Sequence, residues 1–182
     1  MLKNEVIMAG IGGMGVLVAG QTLSRAASQH FSHTSYVPSF GFARRGGNSE
    51  FTVIFSDERI SSPLLDQAQA VVLLDSSQFT AYESRVRTGG IFIVEKAGLT
   101  VERQRDDYKL YLFSGMDIAV GMGASVLVGL IMFGAYIAIS ESIAQELIEN
   151  ELNRRYGDDE KMLKRNVDAF RQGLVLGNNA RK

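Results

Sequence analysis

Val6 to Ala9 is an unbroken apolar run that empties into Gly10-Ile11-Gly12-Gly13-Met14-Gly15, and from Val16 the chain reads as a helix. No other feature constrains the fold as much. Glycines tolerate positive φ and carry no β-carbon, so the free N–H groups that open the helix can approach an anion closely. The segment therefore has the build of a phosphate-binding strand-turn-helix.

Gly10, Gly12 and Gly15 satisfy the G-x-G-x-x-G spacing of a dinucleotide turn. That motif also wants an acid about 20 positions on, to hold the ribose hydroxyls. From Gln21 to Asn48 there is no Asp or Glu, and Glu50 falls beyond an irregular loop. A nicotinamide enzyme thus remains open mainly in an NADP form, using Arg44 or Arg45. A triphosphate-binding loop needs Lys and Ser or Thr after its last glycine, where this chain has Val16 and Leu17. A third reading is that the glycines only let the helix pack close to the sheet.

Arg44-Arg45-Gly46-Gly47 forms a second glycine-rich element, after the second predicted strand. In a doubly wound sheet, the loops after strands one and two lie side by side over the binding crevice. Two guanidiniums there could face the same anion as the turn amides, and the planar fork of arginine suits phosphate.

The hydrophobic pattern places strands at Asn4–Ala9, Ser32–Val37, Glu50–Phe55, Ala70–Leu74, Ile91–Val94 and Tyr108–Phe113. The second is expected to end at Pro38. The third alternates, with Phe51, Val53 and Phe55 on one side, like a half-exposed strand. Helices are expected over Gly13–Gln29, from Asp75-Ser76-Ser77 to about Arg87, over Glu141–Tyr156 and over Asp159–Gly173, with fraying from Gly177. Strands alternating with helices predict an α/β chain: a Rossmann-like, doubly wound, mostly parallel sheet with C-terminal helices, as a single domain over 1–182.

With 182 residues the chain has about one domain's length at roughly 100 to 200 residues each. Its 19 Lys and Arg nearly balance 20 Asp and Glu, which argues against a nucleic-acid partner. There is no cysteine, so disulfides and cysteine-bound zinc or iron–sulfur clusters are excluded. His30 and His33 are spaced for one metal only if the first helix continues past them; a solvated helix end is the simpler reading, and no metal site is expected. Ile118 to Ser140 is uncharged and long enough for a bilayer. Its glycines, its flanking Asp117 and Glu141, and the lack of a basic cluster or Trp belt favour a turn plus a buried helix, covered in part by another subunit or a second copy. With no cleavage site near the N-terminus, a cytoplasmic protein without membrane contact is expected.

The order of motifs resembles the gamma subunit, or gamma domain, of 2-oxoacid:ferredoxin oxidoreductases. Members carry a turn of form G-x-G-G-Q-G-V, matched by Gly10 to Val16, and an R-G-G, matched by Arg45-Gly46-Gly47. A third motif, S-D-x-x-I-x-S-P, is matched by Ser56 to Pro63, and the resemblance continues through Asp75, Gly89-Gly90 and the apolar helix. It implies a component of a complex that converts a 2-oxoacid and coenzyme A into an acyl-coenzyme A and CO2 while reducing ferredoxin. Thiamine diphosphate and iron–sulfur clusters would then sit in partner subunits, since this chain has no cysteine and no G-D-G…N-N thiamine motif. Carried over by motif, Gly10, Gly12, Gly13, Met14 and Gly15 would line coenzyme A, with Arg44, Arg45, Gly46 and Gly47 facing them. Asp57 and Pro63 look structural. Two positions depart from the family: Met14 stands where Gln is usual, and Ala43 where an acid commonly precedes R-G-G. Met14 leaves the backbone amides in place; Ala43 removes a negative charge beside the arginines.

Overall fold

A computed structural model describes residues 3–41 and 47–182. Six strands, β1 (Lys3–Ile11), β2 (His33–Phe40), β3 (Asn48–Ser56), β4 (Ala68–Leu73), β5 (Val86–Glu95) and β6 (Lys109–Phe113), form one sheet in the order β2-β3-β1-β4-β5-β6. The ladder from β1 through β4 and β5 to β6 is parallel, while β3 runs antiparallel to both β1 and β2. Helices α1 (Val16–Ser28), α2 (Phe79–Glu83), α3 (Gly115–Gly121), α4 (Val128–Ser140), α5 (Gln145–Tyr156) and α6 (Glu160–Ala180) complete the described chain. The α/β class, the mostly parallel sheet and the C-terminal helices match the sequence reading.

The two faces of the sheet are covered unequally. Val6, Met8, Val72 and Ile93 face the larger core, with Leu23 of α1, Ile131 and Phe133 of α4 and Phe170 of α6. Ile7, Val71, Phe92 and Val94 face a smaller one, closed by Phe79 and Tyr82 of α2 and by Tyr108. Successive side chains of a strand point to opposite faces, so the continuous apolar runs of β1, β4 and β5 report cover on both sides.

The strand order corrects one expectation: strand two is not the neighbour of strand one. β3 lies between them, and it is not half-exposed: Thr52, Ile54 and Ser56 are buried as well as Phe51, Val53 and Phe55. β2 also runs through Pro38 to Phe40, pairing Pro38 with Phe51. It forms the sheet's edge, where a residue without an N–H is tolerated. Gly89 and Gly90 fall inside β5, with Gly89 at φ 76°, near an irregularity in the β4–β5 register. The preceding helix accordingly stops at Glu83 instead of near Arg87.

The uncharged segment is two helices joined by a 3-10 turn at Ser125–Leu127. Every residue of α4 from Val128 to Ala138 is buried, and the cover comes from this chain instead of a second subunit. Gly134 and Gly173 meet backbone to backbone between α4 and α6, and a β-carbon at Gly177 would fall 2.6 Å from the Ala135 carbonyl oxygen. This contact holds α6 helical to Ala180, so the fraying expected from Gly177 does not occur. α5 starts at Gln145, later than expected, because Glu141 adopts a left-handed conformation at φ 47° and ends α4. Among the described residues no helix is long and apolar enough to cross a membrane.

Candidate functional site

The glycine turn sits at the carboxyl end of β1, where Ile11 pairs with Asn48, the first residue of β3. Because β3 runs antiparallel to β1, the start of β3 lies beside the turn. Gly12 N–H donates to the Gly47 carbonyl at 2.9 Å, and Gly41 N–H donates to the Asn48 carbonyl at 2.8 Å across the base of the β2–β3 loop. Gly47 thus meets the turn, by way of the reversed strand and not by two adjacent parallel strands. Arg44, Arg45 and Gly46, with Ala43, lie outside the described residues.

The five turn residues have different physical roles. Gly13 at φ 97° and Gly15 at φ 78° occupy the left-handed region, which disfavours any side chain by about 1 to 2 kcal/mol. Gly10 gives close packing: a β-carbon there would lie 2.9 Å from Leu74 Cβ. Gly15 also abuts the start of α4, 2.7 Å from Val126 O on the same construction, whereas Gly13 has open space around it. Met14 N–H closes the turn onto the Ile11 carbonyl at 3.2 Å, and Met14 Sδ accepts weakly from Ile11 N–H at 3.4 Å. Among the described residues no acceptor takes the N–H of Gly13 or Gly15. α1 begins at Gly15 without a side-chain cap or an acid in its first turn. N–H groups without an acceptor among the described residues thus coincide with the positive end of the helix dipole, an arrangement that favours an anion.

Neighbouring strand ends furnish further polar side chains. Gln78 Nε2 donates to Asn48 Oδ1 at 3.3 Å and to Asp75 Oδ2 at 2.9 Å, linking the start of β3 to the end of β4. Burial pushes the Asp75 carboxyl up, but hydrogen bonds from Gln78 and Ser77 outweigh it and hold the group below the usual carboxylate range. Glu95, buried at the end of β5, accepts from Met116 N–H at 2.8 Å and so satisfies the start of α3. Glu50, the first acid after the glycine turn, is fully engaged. Arg85 clamps it with bonds of 2.8 and 2.7 Å and Tyr82 Oη donates at 2.5 Å. Burial and that bond to Glu50 raise the Tyr82 phenol above its ordinary range. Glu50 is therefore not available to ribose hydroxyls, which further weakens the nicotinamide reading.

Other sequence candidates separate. His30 lies in the turn after α1 and His33 opens β2, so they do not share a helix. Among the described residues no group of three His, Cys, Asp or Glu is placed to hold a metal. Asp57 and Pro63 lie in the exposed connector after β3, away from the turn. Tyr156, Met162 and Arg165, from α5 and α6, are brought beside Gly15 and line one cavity with it. No local pattern marks such distant residues, because only the packing of α6 on α4 places them there.

The fold and motifs have known counterparts. The gamma subunit of keto/oxoacid ferredoxin oxidoreductase from Geobacter sulfurreducens superposes with a TM-score of 0.81, covering 98% of both chains at 24% identity. The 2-oxoglutarate:ferredoxin oxidoreductase of Magnetococcus marinus, solved with 2-oxoglutarate, coenzyme A and succinyl-CoA bound, gives 0.88 over 98% of this chain and 32% of that one, at 18% identity. In sequence, the 2-oxoglutarate synthase subunit KorC of Methanocaldococcus jannaschii is 25% identical, over 96% of this chain and 94% of its own. The ketoisovalerate oxidoreductase subunit VorA of Methanothermobacter marburgensis is 27% identical over 93% of this chain, which spans only 35% of that relative's length. Residues 5–176 match the family model described as pyruvate ferredoxin/flavodoxin oxidoreductase, and the chain belongs to that family.

Proposed function

We propose that this chain is the gamma component of a 2-oxoacid:ferredoxin oxidoreductase and that its glycine turn cradles the phosphates of coenzyme A. The observation that carries the reading is the turn itself. Gly13 and Gly15 present N–H groups that no acceptor takes among the described residues, at a helix start without a side-chain cap, and Gly12 donates to Gly47, which follows Arg44, Arg45 and Gly46 directly in sequence. Coenzyme A fits such a place: its phosphates supply the negative charge that the helix dipole and two guanidiniums favour. Two comparisons support it: the Geobacter gamma subunit, and the Magnetococcus enzyme solved with coenzyme A bound.

The chain's own part is to bind and orient the coenzyme while partner subunits carry the chemistry. Iron–sulfur clusters do not fit it, since it has no cysteine. Thiamine diphosphate and the clusters belong, on this reading, to the partners, which decarboxylate the 2-oxoacid and pass electrons to ferredoxin. A second reading, a ligand-free assembly module, draws on the packing of Gly10 against Leu74 and of Gly15 against Val126, which uses those glycines structurally.

Purification of the tagged chain from its native host tests the assignment. Recovery with a thiamine-binding subunit and a cysteine-rich cluster subunit, in a complex that turns over a 2-oxoacid only with coenzyme A, is the expected result. Recovery of the chain alone overturns it.

A further inference from the structure

The end of the sheet opposite the glycine turn holds a cavity of about 370 Å³, at the amino ends of β1, β4 and β5 and beside the last turn of α4. That size falls within the roughly 300 to 1,000 Å³ of small-molecule sites. Glu5 and Arg87 furnish its charge, Tyr136 and Ser140 its hydroxyls, and Ala70 and Ile91 apolar surface. At about 3.3 Å per residue of strand, Glu5 and Gly12 stand roughly 20 Å apart, so the two places are separate.

A break in the sheet builds the cavity. β4 advances from Ala68 to Ala70 while β5 advances from Val86 to Ile91, so Arg87 to Gly90 leave the ladder as a bulge. The bulge is tightly folded: Gly89 stands at φ 76°, its N–H donates to the Asp107 carbonyl at 2.6 Å, and a β-carbon on Gly90 would fall 2.7 Å from the Arg87 carbonyl oxygen. Arg87 thereby reaches across β4 to Glu5 on β1. Glu5 is buried with its carboxylate taken on both sides, Oε1 by Lys3 at 2.7 Å and Oε2 by Arg87. A buried ion pair often stabilises a fold no better than apolar residues of similar volume, so packing alone does not call for this arrangement.

The groups left over in the cavity are donors. Arg87 gives Nη2 to Glu5, and among the described residues its other nitrogens have no acceptor. Ser140 Oγ donates to Ser142 Oγ at 2.9 Å and Ser142 Oγ donates to the Tyr136 hydroxyl at 3.2 Å, which leaves the Tyr136 proton without an acceptor among the described residues. Burial pushes that phenol up, so it stays protonated and able to donate. Charge points the same way: Lys3 and Arg87 exceed the single Glu5, and Asp107 beside the bulge is already paired with Arg105. Such a lining takes an anion. The planar fork of Arg87 suits a carboxylate, and Ala70, Ile91 and the Tyr136 ring suit an aliphatic or aromatic body behind it, where the oxygens of a phosphate would go unmet.

We propose that this cavity binds a small organic carboxylate, its carboxyl group held by Arg87 and the Tyr136 hydroxyl and its apolar body against Ala70 and Ile91. The site is independent of the coenzyme A reading and of the glycine turn.

Calorimetric titration of the purified full chain with benzoate and hexanoate tests it, beside benzamide, hexanamide and inorganic phosphate. Saturable binding of at least one carboxylate is expected, with its amide about tenfold weaker or more, because charge-assisted hydrogen bonds are lost. Arg87→Lys keeps a cation on Glu5 but not the fork, and Tyr136→Phe removes the hydroxyl. Each is expected to weaken carboxylate binding about tenfold, while Arg171→Lys, at the surface pair with Glu149, leaves it unchanged. Melting curves show which variants fold; should Arg87→Lys unfold because Glu5 is poorly held, Tyr136→Phe and the amide comparison decide. No saturable binding, an amide or phosphate bound as tightly as the carboxylates, or a folded cavity variant with unchanged affinity overturns the proposal. Loss of carboxylate binding in the purified complex would mean that a partner subunit fills the cavity, which also overturns it.

Discussion

Gly129→Ala places a methyl group where the first turn of α4, whose residues are nearly all buried, rests on the glycine turn. The new β-carbon would fall onto the Met14 carbonyl oxygen, 2.8 Å from Gly15 C and 3.0 Å from Gly15 Cα. Those neighbours are backbone atoms, so no rotamer change relieves the clash. Helix propensity alone would favour the substitution by about 0.8 to 1 kcal/mol. Overpacking opposes it with about 1 to 3 kcal/mol, and the upper part of that range applies where the contact is to main chain. A net loss of about 1 to 2 kcal/mol follows, or roughly 2 to 8 °C in melting temperature for a chain of this size. Gly121→Ala is the matched control: it ends α3 at a position with open space around it, and is expected to be neutral or slightly stabilising. Urea unfolding of both variants beside the wild type measures the difference. Equal stability, or a more stable Gly129→Ala, would refute the close contact between α4 and the turn.

Three further outcomes are expected. Glu95→Ala leaves the N–H groups of Met116 and Ala97 without their carboxylate and should cost about 1 to 3 kcal/mol of unfolding free energy in urea titration. Because the folded Asp75 carboxyl sits below its unfolded value of about 3.9, its stabilisation is present above that pH and is lost as pH falls through the lower folded value. Asp75→Asn should therefore lower stability at neutral pH and flatten the acid limb of a stability profile below about pH 4. Gly13→Ala meets no neighbour but must hold φ 97°, so a loss of about 1 to 2 kcal/mol is expected in thermal unfolding from backbone strain alone.

Local pattern carried much of this fold and topology the rest. The apolar runs of β1, β4 and β5, and the glycines that need positive φ at 13 and 15, can be read from a few adjacent residues because their causes are local. The position of β3 cannot: Phe51, Val53 and Phe55 alternate with Thr52 and Ile54 as a half-exposed strand would, yet both sets are buried and the strand is inserted between β1 and β2. The same insertion brings Gly47 to Gly12 through an antiparallel strand, a route that no local pattern marks. Gly177 looked like a frayed end because nothing nearby in sequence reveals that Ala135 lies against it. Arg165 and Met162 carried no signal for the same reason.

The KM for coenzyme A of the purified complex, compared between wild type and Arg45→Ala, bears most directly on the claim that the glycine turn and its facing loop form a phosphate cradle. Loss of one charged hydrogen bond, about 1.5 to 3 kcal/mol, predicts a rise of roughly tenfold or more, with the KM for the 2-oxoacid unchanged. An unchanged KM for coenzyme A would contradict the cradle and leave this chain as an assembly module.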